Sequence, residues 1–173
     1  MPKLPLCTLQ RVDGKWIANE SAVQIDTETG DLHAPGGVLT ADGGIAVPMI
    51  NATGAPSVKG MAVTVGSAAD NSFVAEVSGY GIIGYVQEDG VPDGQPCLVG
   101  KTGKVWALLK DGTAGQRGYL LRVTDVPGRV EAIVPPAGLG SQAQDEHFKE
   151  GGHCLEDKPA GVDVLVLASL HLN

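Results

Sequence analysis

Between residues 89 and 128 this chain is broken at short intervals by residues that reverse a backbone: Asp89-Gly90, Pro92-Asp93-Gly94, Thr102-Gly103, Asp111-Gly112, Gly118 and Pro127-Gly128. Intervals near the ~8–12 residues of an all-β fold leave room for a strand but not for an ordinary helix. The runs between the breaks are apolar: Cys97-Leu98-Val99, Val105-Trp106-Ala107-Leu108-Leu109, Tyr119-Leu120-Leu121-Arg122-Val123 and Val130-Glu131-Ala132-Ile133-Val134. Upstream, Met61, Val63 and Val65 alternate with Ala62 and Thr64, and Phe73, Ala75 and Val77 alternate with Val74 and Glu76. Ile82-Ile83-Gly84-Tyr85-Val86 is a denser strand. With 25 Gly, 11 Pro and an apolar fraction of 43%, the chain has both the breaks and the core material for many short strands. The expected fold is all-β: a small closed or nearly closed β-barrel of roughly eight to ten strands, with tight Gly-rich turns and very little helix.

The longest apolar run is Val162 to Leu172. Val162, Val164, Val166, Ala168, Leu170 and Leu172 share one parity; Asp163, Leu165, Leu167, Ser169 and His171 share the other. A period of two with one fully apolar face predicts a strand against the core. The second face is half apolar, so the middle of the strand is expected to be covered on both sides. A chain ending in such a strand suggests closure, with the last strand slotted between earlier ones. Lys104 and Lys110 bracket the Trp106 strand in the manner of edge gatekeepers.

The first fifty residues read differently. Short strand candidates at 15–19, 22–25 and 44–50 are separated by Pro35-Gly36-Gly37 and Asp42-Gly43-Gly44, and none buries much surface alone. Residues 1–50 are therefore expected to form an extended N-terminal arm or loose hairpins, and residues 51–173 the barrel domain. The best helix candidate, Ser141 to Glu150, has Ser141 as N-cap and Gly151 as stop.

A formal charge of −8 and a scatter of single Lys and Arg residues argue against nucleic acid, which needs a cationic face. No apolar run approaches the ~20 residues of a membrane span, so no membrane is expected. Met1 to Leu6 has no apolar core of a signal peptide. Cys7, Cys97 and Cys154 are odd in number and far apart, which fits buried free thiols in a reducing compartment. Asn51-Ala52-Thr53 matches a glycosylation sequon and is expected to be accidental.

The densest polar stretch runs from Asp145 to Cys154 and contains His147, His153 and Cys154, all residue types that bind zinc. Their spacing matches no zinc finger, and a site would need Cys7, Cys97 or His171 brought in by the fold. A strand start with a buried Cys154 and surface histidines is the simpler reading. Adjacent His153 and Cys154 point to opposite faces of a strand, so they form no ready dyad. Gly79 to Gly84 superficially matches a dinucleotide fingerprint but lacks the following helix, and reads as a strand in close backbone packing. Trp106 reads as core or interface rather than a ligand platform. No catalytic, cofactor-binding or metal-binding residue is assigned, and no enzyme is expected.

One resemblance emerges from the order of these elements. Ile83-Gly84-Tyr85-Val86, Asp93 to Val99, Thr102 to Ala107, Gly118-Tyr119-Leu120, Gly128 to Ala132, Glu146 to Glu156 and Gly161 to Val166 succeed one another as Val-rich strands broken by glycine turns. That succession resembles the small capsid cement (head decoration) proteins of tailed bacteriophages, over residues 51–173. Asn51 to Gly60 also resembles the opening of such virion proteins. The resemblance implies a β-rich barrel bound to the capsid exterior, with the major capsid protein as partner. It also implies frequent homotrimers, no catalysis, and location in the virion after synthesis in the host cytoplasm. The first fifty residues depart from the compact members, which leaves room for another virion part such as a head fibre base or tail protein. A small metal- or Cys-dependent enzyme and a cytosolic ligand-binding barrel are the alternatives from other classes.

Overall fold

The computed structural model describes residues 9–12, 15–18, 23–26, 32–34, 37–40, 43–77, 81–135 and 150–170. Every regular element among them is a strand, and fourteen strands join in one sheet. None of the described residues lies in a helix long and apolar enough to cross a membrane. Among the described residues the expected all-β class is what the chain adopts, with fourteen strands where eight to ten were expected.

Strands β1 (Leu9–Val12), β2 (Lys15–Ala18), β3 (Val23–Asp26), β4 (Leu32–Ala34) and β5 (Gly37–Leu39) form an antiparallel meander, each paired with the next. β5 hands the pattern on to β6 (Gly44–Asn51) through Val38↔Ala46 and Leu39↔Ile45. The boundary expected at residue 50 therefore falls inside β6, one residue before its end.

Five strands close a ring of hydrogen bonds. β6 pairs in parallel with β8 (Ser72–Ala75), β8 with β7 (Ala62–Val65), and β7 with β9 (Gly84–Val86). β9 pairs with β10 (Pro96–Leu108), and β10 returns to β6. Met49, Val63, Phe73, Val86, Cys97 and Val99 pack together as its core. Gly84 allows β9 to lie close on β10: a Cβ there would sit 2.2 Å from the Gly100 carbonyl oxygen. The close backbone packing expected of that Gly-rich stretch is seen at Gly84, whereas Gly81 to Ile83 precede the strand and Gly79 and Tyr80 lie outside the described residues.

From β10 the sheet continues through β14 (Leu165–Leu170), β13 (Glu150–Cys154), β11 (Leu120–Val123) and β12 (Val130–Ile133), in that spatial order. A second core forms here from Val105, Ala107, Leu109, Leu121, Val130, Cys154, Val166 and Ala168, with Tyr85 reaching in from β9. β10 serves both cores. A bulge between Gly100 and Thr102 inserts Lys101, which reverses the alternation of faces. Odd-numbered Cys97 and Val99 thus point into the ring, and odd-numbered Val105 and Ala107 into the second core.

Three expectations change. Thr102-Gly103 is no turn: it lies inside one thirteen-residue strand, bent at the bulge. Lys104 does not guard an edge, because β10 is paired by β6, β9 and β14. Finally, β14 sits between β10 and β13 as an interior strand, but the β6–β8 pairing closes the ring without it. Its parity is as expected: Val166, Ala168 and Leu170 are buried, while Leu165, Leu167 and Ser169 are half-buried. The strand starts later than the apolar run, since Val162 is 75% exposed and Asp163 turns the chain at positive φ. His171 and Leu172 lie outside the described residues, as do Ser141 to Lys149 of the expected helix, whose last residue, Glu150, opens β13.

Asn51, at the end of β6, is fully buried. Its Nδ2 donates to the carbonyls of Ala55 (2.9 Å) and Val91 (3.0 Å). Its Oδ1 accepts from the Thr53 N–H (3.1 Å) and hydroxyl (2.7 Å). The sequon nitrogen is thus spent on the fold, and the folded protein presents nothing there to glycosylate.

Candidate functional site

The polar stretch singled out in the sequence is partly in view, because β13 carries its end. Gly151 and Gly152 let β13 pack tightly: a Cβ on Gly151 would sit 2.3 Å from the Tyr85 hydroxyl, and one on Gly152 2.4 Å from the Ser169 carbonyl oxygen. The Tyr85 hydroxyl donates to the Gly151 carbonyl at 2.9 Å. Burial, and then the charge of Glu150, push that phenol far above the ordinary tyrosine range, so it stays a donor.

His153 and Cys154 take opposite faces, as strand geometry demands. Cys154 is buried in the second core, its Sγ 3.0 Å from the Glu156 carbonyl, and burial pushes its thiol up. Cys97 is buried in the ring, and burial raises its thiol too. The two thiols thus belong to different cores. His153 points outward, with Nδ1 3.2 Å from Oε1 of the buried Glu150. Glu150 lies opposite Arg122 in register, and Arg122 binds Glu131 at 2.6 Å. His147, Cys7 and His171 lie outside the described residues. Among the described residues no three His, Cys, Asp or Glu side chains are grouped to hold a metal ion.

Register assembles a second feature, on the outward face of β10, β14 and β13. Trp106 lies opposite Leu167, and Leu108 opposite Leu165. The Leu155 N–H donates to the Leu167 carbonyl, which extends the apolar row, half-buried except at the buried Leu108, to a third chain segment. A polar row runs beside it: Lys104 opposite Ser169, and Ser169 opposite His153. The Lys59 ammonium sits 5.5 Å from the centroid of the Trp106 ring, a cation–π distance. Gln87 braces the strand beneath, its Oε1 accepting from the Trp106 N–H at 3.2 Å. Glu156 accepts from the Leu167 N–H at 2.8 Å and binds Lys158 at 3.4 Å.

Chemically this face offers adhesion: an indole and aliphatic side chains for desolvation, with ammonium groups at the margin for orientation. Sequence parity had placed Leu165 and Leu167 on the second face of the last strand and marked Trp106 as core or interface. Lys59, Leu155 and the Lys104–Ser169–His153 row were invisible, because they come together only through cross-strand register. No protein-family model matches the chain, and no curated protein matches it.

Proposed function

We propose that this protein is a virion structural protein of the capsid-decoration type: it binds the outside of a tailed-phage head and cements neighbouring major capsid subunits. The observation that carries the reading is the two-part topology. Strands β6–β14 form a body with two packed cores, while β1–β4, each of three or four residues, pair only with their sequence neighbours. A cement protein needs such a body to resist deformation and a reaching segment to cover a seam. Every residue ordered against a neighbouring subunit adds interface without demanding a core of its own. The resemblance of residues 51–173 to decoration proteins supports the same role, and with it assembly as closed homotrimers. The charge of −8 keeps free subunits apart before they bind. In this role the protein catalyses nothing and holds no cofactor.

The test is co-sedimentation of the full chain with undecorated heads of the virus that encodes it. Binding in fixed proportion to the major capsid protein, with trimers by sedimentation velocity, is the expected result. Binding to isolated tails but not to heads overturns the reading.

A further inference from the structure

We propose that the outward face of β10 and β14 is the docking surface for an acidic protein surface. The inference rests on the capsid-binding reading, under which that partner is the head shell. Three observations converge. Trp106 is the type of side chain that dominates binding energies at interfaces, and here Leu167 lies opposite it, with Leu165 on the same strand as Leu167 and Leu155 beyond Leu167, all half-buried. Gln87 fixes the backbone of Trp106 and Lys59 sits over its ring, so part of the ordering precedes binding.

Charge selects the partner. The chain has 20 acidic against 12 basic residues, yet Lys59 and Lys104 flank this patch. Of the nearby carboxylates, the buried Glu150 lies 3.2 Å from His153, Glu156 is engaged by Lys158 and by the Leu167 N–H, and Asp89 accepts the Lys59 backbone N–H. A second copy docked face to face would bring the lysines of both copies into one interface, which costs free energy. Nucleic acid would meet the lysines but find no use for the apolar row, and the −8 body repels it. An acidic protein surface with exposed apolar groups satisfies both rows at once.

The experiment compares the full-length wild type with Lys59→Glu/Lys104→Glu, and with Lys104→Gln as a milder variant, in co-sedimentation with undecorated heads. Circular dichroism melts establish that each variant is folded. The double reversal is expected to weaken binding at least about tenfold, the single variant less, and wild-type binding is expected to weaken as salt rises. Wild-type heads decorated equally well by the folded double variant, or binding indifferent to salt, overturn the docking surface and leave the capsid reading standing. If the wild type fails to bind heads at all, both fall. If the wild type self-associates and the double variant does not, the occupant is a second copy and the inference is wrong.

Discussion

Replacing Asn51 by Ala deletes four side-chain hydrogen bonds at one stroke, and their geometry allows the cost to be apportioned. Two are donated by Nδ2 to the Ala55 and Val91 carbonyls, and two are accepted by Oδ1 from Thr53. Each is worth about 0.5–1.5 kcal/mol net, which sets a ceiling near ~6 kcal/mol. The carbonyls find other partners, because the Ser57 N–H also donates to Val91 and the Thr53 hydroxyl, released from Asn51, is 2.9 Å from the Ala55 carbonyl. Only the Thr53 N–H is orphaned, so about 2–3 kcal/mol is the expected loss. Asn51→Asp is nearly isosteric but should cost more, about 3–5 kcal/mol. It keeps the Oδ1 bonds and places a charged oxygen where Nδ2 faced two carbonyl oxygens within 3.0 Å. That carboxyl would have a raised folded pKa, so its penalty is full at neutral pH and shrinks as pH falls toward the unfolded value of ~3.9. Urea denaturation reads both variants. With a slope of ~2 kcal/mol per molar, Ala should lower the midpoint by about 1–1.5 M. A shift under ~0.3 M for Ala, or an Asp variant no worse than Ala at pH 7, would refute the assignment of these bonds to stability.

Three further outcomes are expected. Folding holds Tyr85, Cys97 and Cys154 protonated, chiefly by burial, so the unfolded chain releases these protons first and stability falls as pH rises. The decline begins near the ordinary thiol range, ~8.5, and steepens above ~10, at about 1.4 kcal/mol per pH unit per group; Tyr85→Phe should flatten only the upper part in urea titrations. Arg129 joins three segments: it donates to the Leu109 carbonyl (3.0 Å) and to Asp111 (2.7 Å) through one nitrogen and to Asp163 through another. Arg129→Lys cannot reproduce that fork and should cost about 1–2 kcal/mol, seen as a lower melting temperature; an unchanged melt would show the clamp to be idle. Removal of residues 1–42 spares all of β6 and should leave a cooperatively melting body, since both packed cores are built from residues between Val47 and Leu170. A truncated chain without a cooperative melt would show that the meander belongs to the folding unit.

Much of the fold was legible because it depends on neighbours in sequence. The Asp111-Gly112 and Pro127-Gly128 turns stand where the dipeptides are, each with glycine at positive φ. The parity of Val166, Ala168 and Leu170 named the buried face of β14 without any knowledge of its partners. Opposite orientations of His153 and Cys154 followed from strand geometry alone. The candidate site was legible only in fragments. Leu165, Leu167 and Trp106 stood out by pattern, but nothing in the chain announces that Trp106 faces Leu167 across some sixty residues of sequence, or that Lys59 lies over its ring.

Composition and periodicity thus determined the class of this protein: strands, turns and buried faces. The tertiary structure alone decided that Thr102-Gly103 is part of a bent strand, that β6 closes a ring through β8, and that β14 lies beside that ring without closing it. The physical reason is that alternation and turn preference are set by local backbone sterics. Register, bulges and closure are set by which distant strands share a core, and two cores compete for β10.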